Sequence, residues 1–519
     1  MRSKLGLDAG LVHSCRAAAA RVARQVAEAT AGRTTVAVER TVARTLGIDG
    51  VDPHDVPLPN ALVDHVADFD GLARGVAAWV GNAMVQTERS AAEVAVAVGA
   101  GELSLGELPW AEREAIERAV GEAHEATLSA MRARCAQRDA LREELGEQPQ
   151  PHRYVLTATG NVYEDRDHAL AVAEAGGDII AVIRSTAQSL LDFVPYGPTT
   201  EGYGGTFATQ ENFRIMRDAL DEWSRARGRY VRLSSFCSGL CMPEIAAMGA
   251  LEGLDNMVND ALYGILYRDL NILRTMIDQR VSRAVNGRFG IVINTGEDNY
   301  LRTADAIDAA PSVVASQFIN YFLARDCGVP DEQIAIGNSF EISPSVENGL
   351  LYEWAHAQLT RELFPDCPVK YMPPTKHMDG NLFMTHACDT LFNLITVATD
   401  QEIQTIGIPT EGIFTPHIHD RVLGMECSNY VFTAARGLSD EIEFRPDGFV
   451  VRRAHEVLRE AHAMLEEIVD IGLFAALGRG TFGDVSRTLE GGRGADGIVE
   501  VTEDYLNPLH GAVEAPAGV

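Results

Sequence analysis

The sequence predicts an α/β protein built around a (β/α)8 TIM barrel, with a helical region before the barrel and a helical extension after it. Two observations lead to this prediction. Short apolar runs recur along residues 151–445, and long segments with helical spacing separate them. Continuous apolar strands that alternate with helices are typical of a parallel sheet, and about eight or nine in series suit a closed barrel better than an open one. An open doubly wound sheet is the alternative.

Residues 1–150 are predicted to form a helical accessory region. Alanine, arginine and glutamate recur there with helical spacing, as in residues 111–118, and few strand-like runs interrupt them. The QPQP segment at residues 148–151 ends this pattern, because proline cannot continue a helix. We therefore place the first boundary at residue 150.

The barrel is predicted over residues 151–445, and its candidate strands are short runs of mostly apolar residues. They lie at residues 154–157, 179–183, 230–233, 290–293, 313–315, 334–336, 369–372 and 405–408, with a further candidate near Met257. Helices are expected between these runs, for example over residues 271–288 and 350–363.

Residues 446–519 are predicted to form a C-terminal extension, in which a helix over residues 454–468 leads into a glycine-rich tail. The tail contains GRGTFG at residues 478–483, which has the GxGxxG spacing. A dinucleotide site needs a strand before that loop and a helix after it, whereas this motif follows a helix. The context argues against nucleotide binding.

Composition excludes several classes of function. The formal net charge is −30, which repels phosphate backbones and anionic lipid, so neither nucleic-acid nor membrane binding is expected.

The eight cysteines are scattered, without CxxC pairs, and are predicted to be reduced thiols. No stretch approaches the ~20 apolar residues of a spanning helix, and no secretory leader is evident. A cytoplasmic location is expected.

Lysine is rare in this chain. Only three of its 44 Lys and Arg residues are lysine, namely Lys4, Lys370 and Lys376. Two of the three lie within residues 369–377, on or after a predicted strand. Lysine offers a compact ammonium that can hold a carboxylate and, because its pKa can shift, an amine that can attack a carbonyl, whereas arginine stays a planar cation. Lysine chemistry is therefore expected in this segment.

Polar residues follow several predicted strands, where the chemistry of a barrel gathers. Residues 184–189 read RSTAQS, residues 234–239 read SSFCSG, and residues 294–299 read NTGEDN. An arginine with hydroxyl groups and glycines at a barrel rim predicts a phosphate site, because the guanidinium can hold two oxygens at once. Tyr263 and Arg268 follow the candidate strand near Met257, and the tyrosine could stack on a flat ring.

Together these segments resemble the alpha subunits of lysine 5,6-aminomutases. The resemblance rests on the polar strand ends, Tyr263, Arg268 and the Lys370 segment. It extends to TVAVERT at residues 35–41, LPN at residues 58–60 and GYGGTFATQEN at residues 202–212. These strings are long and specific, and they cover most of the chain.

The resemblance implies an isomerase that uses pyridoxal phosphate and adenosylcobalamin in a radical 1,2-shift of the terminal amino group of D-lysine or L-β-lysine, a step of lysine degradation. It implies roles for particular residues. Arg184 and Ser189 would hold the cofactor phosphate and Ser238 would face the pyridine nitrogen. Tyr263 would stack on the ring. Arg268 and Asn299 would contact ring substituents. Asp298 would meet a substrate amine, Lys370 would meet the substrate carboxylate, and Glu411 is a further candidate for substrate contact.

Cobalamin is expected to bind elsewhere. Base-off cobalamin sites generally use a DxHxxG loop, and here only Asp52-Pro53-His54 begins such a pattern, which then reaches Pro57 where glycine is needed. The resemblance implies a smaller beta subunit that carries the cobalamin-binding domain and the aldimine lysine, in an α2β2 heterotetramer. Lys370 would then bind substrate, and no metal site is expected in this chain.

Three alternatives stay open at this point. An ornithine 4,5-aminomutase-like subunit has a similar barrel, although that enzyme carries its cobalamin domain on the same chain. A metal-dependent TIM-barrel hydrolase could use His417 and His419, with Asp420, as ligands. A non-catalytic structural subunit is the third.

Overall fold

The computed structural model describes residues 3–182, 191–296, 307–483 and 486–509. Its centre is a closed barrel of eight parallel strands in chain order, so the predicted fold class is confirmed. Strand β1 lies outside the barrel, at Arg33–Thr35. The barrel strands are β2 His152–Leu156, β3 Ile179–Ala181, β4 Arg232–Phe236, β5 Asn256–Val258, β6 Val292–Thr295, β7 Ile334–Asn338, β8 Val369–Tyr371 and β9 Ile403–Thr405. Pairing of β2 with β9 closes the barrel.

Most predicted strands overlap barrel strands, but several predictions were partly or wholly wrong, among them the run at residues 290–293, which begins two residues before β6. The run at residues 313–315 is not a strand, because it lies inside a buried helix, Ala310–Asp326. The run at residues 230–233 begins two residues before β4. The run at residues 405–408 overlaps β9 only at Thr405, and residues 406–408 continue as buried chain beyond the strand.

Helices follow the barrel strands and pack around them. They are α7 Val162–Glu174, α8 Gln210–Arg227, α9 Met242–Glu252, α10 Ala261–Arg268, α11 Ile272–Arg288, α12 Ala310–Asp326, α13 Gly349–Leu363, α14 Leu382–Ala398 and α15 Ile418–Ala434. Several begin at a polar N-cap whose side chain accepts an otherwise unpaired backbone N–H; Asn271 does this for α11 and Asn381 for α14. The helices predicted over residues 271–288 and 350–363 are confirmed within one residue.

The segments before and after the barrel are helical, as predicted. The first contains α1 Ala9–Thr30, α2 Val36–Thr45, α3 Leu58–Ala67, α4 Val76–Thr87, α5 Ala91–Gly99 and α6 Arg113–Leu145. The second contains α16 Leu438–Glu441, α17 Phe449–Ile471, α18 Leu473–Arg479 and strand β10 Ile498–Glu500. The two segments meet, since β1 pairs with β10 and α1 packs against α17. The boundaries at residues 150 and 445 stay a prediction.

Buried arginines take part in the ion pairs that join the N-terminal segment to the barrel. Arg44 of α2 donates to the carboxylate of Glu244 on α9 at 2.9 Å, and both side chains are almost fully buried. Arg274 of α11 binds Asp278 and also Asp192, the latter at 3.1 Å. Arg40 of α2 contacts the same Asp192 at 3.2 Å. Asp192 follows residues 184–189, so two arginines fix the chain just beyond the predicted phosphate-binding segment.

Two further sequence features can be placed. The GRGTFG motif begins in α18 and ends in a turn, so a helix, and not a strand, directly precedes it. A dinucleotide site needs a strand directly before the glycine-rich loop, so this arrangement is unfavourable to nucleotide binding. Within the described ranges, no helix combines the length and the apolar character needed to cross a bilayer.

Candidate active site

Five of the predicted site residues lie within the described chain, on or after barrel strands. Ser238 follows β4, Tyr263 and Arg268 lie on α10 after β5, Lys370 is in β8, and Glu411 follows β9. The remaining four predicted residues lie outside the described residues: Arg184, Ser189, Asp298 and Asn299. Because all parallel strands of a barrel end on one face, the described residues gather at that face.

Lys370 points into the barrel. Its neighbour Tyr371 points outward, since it stacks on Phe392 of α14 and donates to Glu353 of α13. Adjacent residues of a strand face opposite sides, and the Lys370 ammonium accordingly lies 4.9 Å from the ring centroid of Tyr154 in β2. Lys370 is only 4 % exposed. The aromatic face stabilises a cation whose hydration is limited there.

Tyr263 and Arg268 form a pair on one helix. Arg268 Nη2 donates to the hydroxyl oxygen of Tyr263 at 2.6 Å, and the guanidinium carbon lies 5.0 Å from the ring centroid. A second donor, Nη1, reaches the carbonyl oxygen of Tyr267 at 3.0 Å. The remaining Nε is buried and has no hydrogen-bond partner within the described parts of the chain. A buried N–H without an acceptor is costly, which suits a ligand oxygen at this position.

Ser238 lies in a tight turn directly after β4. It is 6 % exposed and precedes Gly239, whose φ of +85° favours glycine. Cys237, just before it, donates its backbone N–H to the carbonyl of Val258 in β5 at 2.7 Å. Ser234, which the sequence grouped with this turn, instead lies in the strand, and its hydroxyl is 3.2 Å from that of Tyr154. Only Ser238 of this pair is at the strand end.

A charged cluster that the sequence argument missed lies beyond β7 and β8. Glu341 is 1 % exposed, and its carboxylate is 3.2 Å from the ammonium of Lys376. Thr375 donates to the other carboxylate oxygen at 3.2 Å. Glu341 follows the strand predicted at residues 334–336 by a few positions, so the same inspection of strand ends could have found it.

Glu411 lies against this cluster. A Cβ added at the next residue, Gly412, would be 2.8 Å from the carbonyl oxygen of Met378 and 3.2 Å from that of Lys376. The Gly412 amide also donates to the Met378 carbonyl at 2.9 Å. The close approach of these two loops therefore requires glycine and fixes the segment that carries Glu411 beside the Lys376 segment.

Burial changes the acidity of the carboxyl groups around β8. Desolvation raises the pKa of Glu341 to about 7, although the Lys376 ammonium opposes the rise. Desolvation likewise raises the pKa of Glu353 to about 7, against the hydrogen bonds from Tyr371 and from the Ile342 amide. The pKa of Asp389 rises to about 8, again through burial. In each case burial excludes water, which disfavours the charged form of the carboxyl group.

The residues proposed as metal ligands in the hydrolase alternative lie at the start of helix α15. His417 is the N-cap residue of α15, and its amide donates to the Asp420 carboxylate at 3.2 Å. His419 lies within the first turn of that helix. Among the described residues, no group of three or more His, Cys, Asp or Glu side chains has the spacing of a metal site.

Comparisons with known proteins agree across the chain. The family model described as the TIM-barrel domain of the alpha subunit of D-lysine 5,6-aminomutase matches residues 5–512. The lysine 5,6-aminomutase alpha subunit of Acetoanaerobium sticklandii is 51% identical over 510 residues, covering 98% of each chain. That of Fusobacterium nucleatum subsp. nucleatum is 49% identical over 507 residues, again covering 98% of each. The D-ornithine 4,5-aminomutase subunit beta of A. sticklandii is 28% identical over 377 residues, covering 70% of this chain and 50% of that one.

Proposed function

This chain belongs to the family of lysine 5,6-aminomutase alpha subunits, and we propose that its barrel moves the terminal amino group of D-lysine or L-β-lysine to the adjacent carbon. Enzymes of this family are isomerases that use pyridoxal phosphate and adenosylcobalamin. The observation that carries the proposal is the Lys370 ammonium, which is buried inside the barrel beside Tyr154. One fixed cation at this depth suits the carboxylate of an amino acid.

The described residues fit pyridoxal phosphate. The buried Nε of Arg268 lacks an acceptor within the described chain, and an oxygen substituent on the pyridine ring would supply one. Arg268 also fixes the hydroxyl of Tyr263 at 2.6 Å, which orients the aromatic ring for stacking. In this proposal Tyr263 stacks on the cofactor ring, and Arg268 and Asn299 contact its substituents. Arg184 and Ser189 hold its phosphate.

Ser238 is proposed to face the pyridine nitrogen. A serine hydroxyl can donate or accept one hydrogen bond there, but it cannot enforce protonation as a carboxylate would. When bound, pyridoxal phosphate supplies a conjugated system that can share an unpaired electron, while adenosylcobalamin supplies the carbon radical that removes a hydrogen atom. A neutral serine suits this chemistry, because it leaves the ring a weak acceptor of carbanion charge.

Lys370, Asp298 and Glu411 are proposed to orient the substrate. Lys370 binds the carboxylate, and Asp298 binds an amine. Glu411 provides a second negative charge near the Lys376–Glu341 pair. Opposite charges at the two ends of a diamino acid define its direction in the barrel. This orientation places the carbon next to the migrating amine at a reproducible position, which is the main requirement for selective hydrogen removal.

The cobalamin is proposed to bind a partner, a smaller beta subunit that also carries the lysine bonded to the resting cofactor, in an α2β2 assembly. The only partial cobalamin motif in this chain forms a turn between α2 and α3. There the Asp52 carboxylate accepts the amides of His54 and Val56 at 2.7 and 2.9 Å. Asp52 is therefore engaged in closing a local turn, which supports a site on another chain.

The proposal is tested by Lys370→Met in the assembled enzyme. Loss of a charged hydrogen bond to the carboxylate costs about 1.5–3 kcal/mol, so KM for D-lysine should rise ~10- to 200-fold. The substrate analogue 1,5-diaminopentane lacks the carboxylate, so its inhibition constant should be nearly the same for wild type and variant. Lys4→Met is the matched control, because Lys4 binds the carbonyls of Ala398 and Ser439 away from the barrel mouth. Equal loss of affinity for both compounds would contradict the proposal.

A further inference from the structure

A buried polar network lies beneath the segments that carry the proposed cofactor residues. Its centre is Arg283 on α11, which is fully buried. Arg283 donates from Nε to the side-chain oxygen of Asn259 at 3.1 Å and from Nη2 to the Asn259 carbonyl at 3.1 Å. Nη2 also reaches the hydroxyl of Thr295 at 2.8 Å, and both Nη groups contact Asn320 of α12. One guanidinium thus joins the carboxyl ends of β5 and β6.

Asn259 extends the network to β4. Its side-chain amide donates to the carbonyl oxygen of Cys237, the residue before Ser238, at 3.2 Å. Its backbone amide donates to the Asn294 carbonyl in β6 at 2.9 Å. Asn259 is fully buried, so its donors and acceptors cannot exchange these partners for water without cost. The position of Ser238 is therefore tied to those of β5 and β6.

Asp260 joins two further segments with one carboxylate. One oxygen accepts the Leu262 amide at 3.2 Å and caps α10, the helix of Tyr263 and Arg268. The other accepts the Gly296 amide at 2.8 Å. Gly296 precedes Asp298 and Asn299 in the sequence, and its φ of +92° favours glycine. An added Cβ there would also be only 3.1 Å from the Gln317 Cα.

We propose that Asp260, together with Asn259 and Arg283, positions α10, the Ser238 turn and the Gly296 turn relative to one another and so preforms the ring pocket. The inference rests on the proposed function, because it assigns the pocket to the pyridoxal ring. None of the three residues is assigned a contact with the cofactor. They act through the residues that do, and Asp260 is the member whose two oxygens serve two different segments.

The sharpest test compares Asp260→Asn with Asp255→Asn. The two aspartates lie at opposite ends of β5. Asp255 is also buried and accepts from Tyr230 at 2.8 Å and from Arg217 at 2.9 Å, but it lies at the amino end, where barrels gather stability rather than chemistry. An asparagine has one acceptor oxygen, so Asp260→Asn keeps either the cap or the Gly296 contact and loses the other. Asp260→Ser keeps a good cap and loses the Gly296 contact.

The measurements are the dissociation constant of pyridoxal phosphate in the assembled enzyme and amide hydrogen exchange of the cofactor-free enzyme. Asp260→Asn and Asp260→Ser should weaken cofactor binding by ~10- to 100-fold and should speed exchange at Gly296. Asp255→Asn should lower thermal stability with cofactor affinity within about twofold of wild type. Equal cofactor affinity in the Asp260 variants and wild type, or equal weakening in Asp255→Asn, would overturn the inference. Wild-type enzyme that binds no pyridoxal phosphate would overturn the proposed function as well.

Discussion

Glu353→Gln should make the protein more stable at alkaline pH and leave it almost unchanged at acid pH. Glu353 lies on α13 with its side chain fully buried behind β8. One carboxylate oxygen accepts from the Tyr371 hydroxyl at 2.8 Å and the other from the Ile342 amide at 3.1 Å. A glutamine amide keeps the shape and the contact with Ile342, and its NH2 group can donate to the tyrosine oxygen. Only the negative charge is removed.

The magnitude follows from the raised pKa. Burial raises the pKa of Glu353 from 4.5 to about 7, with Glu341 adding to the rise and Tyr371, the Ile342 amide and Lys376 opposing it. A carboxyl group that is less acidic when folded favours the folded state fully below pH 4.5, and this advantage is lost as the pH rises through 7. Each pKa unit corresponds to ~1.4 kcal/mol, so the loss amounts to about 3 kcal/mol.

The assay is urea unfolding between pH 5 and 9, followed by tryptophan fluorescence, for which Trp354 on α13 is an adjacent reporter. The free energy of unfolding of Glu353→Gln minus that of wild type should be about 1 kcal/mol at pH 5 and about 3 kcal/mol at pH 9. Glu114→Gln, at an exposed position of α6, is the control for simple loss of charge and should show no such trend. A difference that is flat across this range would refute the reasoning.

Three other changes test separate parts of the structure. Gly412→Ala places a Cβ 2.8 Å from a backbone carbonyl oxygen, so the loops must separate, and kcat/KM should fall ~10- to 100-fold with little change in the melting temperature; unchanged kcat/KM would contradict this. Arg44→Ala leaves the buried Glu244 carboxylate without its 2.9 Å partner and should cost ~3–5 kcal/mol in unfolding free energy, whereas a loss below ~1 kcal/mol would show that the pair is solvated. Burial raises the pKa of Glu341 to about 7, so its carboxyl group becomes negatively charged as the pH rises from 5 to 9. KM for the diamino acid should fall between these pH values in wild type and stay flat in Glu341→Gln. Equal slopes in the two enzymes would argue against a role for this charge.

The barrel could be predicted because its strands are short, apolar and regularly separated by longer helical segments. The error at residues 313–315 shows the limit of this signal. That run lies in α12, which is buried on nearly every side, so its β-branched residues satisfy a helix as well as a strand. Pro311 in the first turn of α12 was the available sign of a helix start, since proline is well tolerated there.

The candidate site could be proposed in part from the sequence, chiefly where rare residues or strand ends marked it. Lys370 was identified by the scarcity of lysine, and the structure places it inside the barrel. Glu341 could have been found at the end of a predicted strand. Arg283 could not, because arginine is abundant in this chain and nothing in the spacing shows that one guanidinium on α11 reaches Asn259 and Thr295. Such long-range contacts are set by the closure of the barrel rather than by local sequence.

The central claim is that this barrel is the cofactor-binding half of a two-subunit aminomutase. The most direct test is borohydride reduction of the enzyme loaded with pyridoxal phosphate, alone and together with the cobalamin-binding partner, followed by mapping of the phosphopyridoxyl label. The account predicts label on a lysine of the partner and none on this chain. Label on Lys370 or Lys376 would contradict it, because the barrel would then hold its own covalent cofactor, and label on Lys370 would also remove the proposed carboxylate anchor.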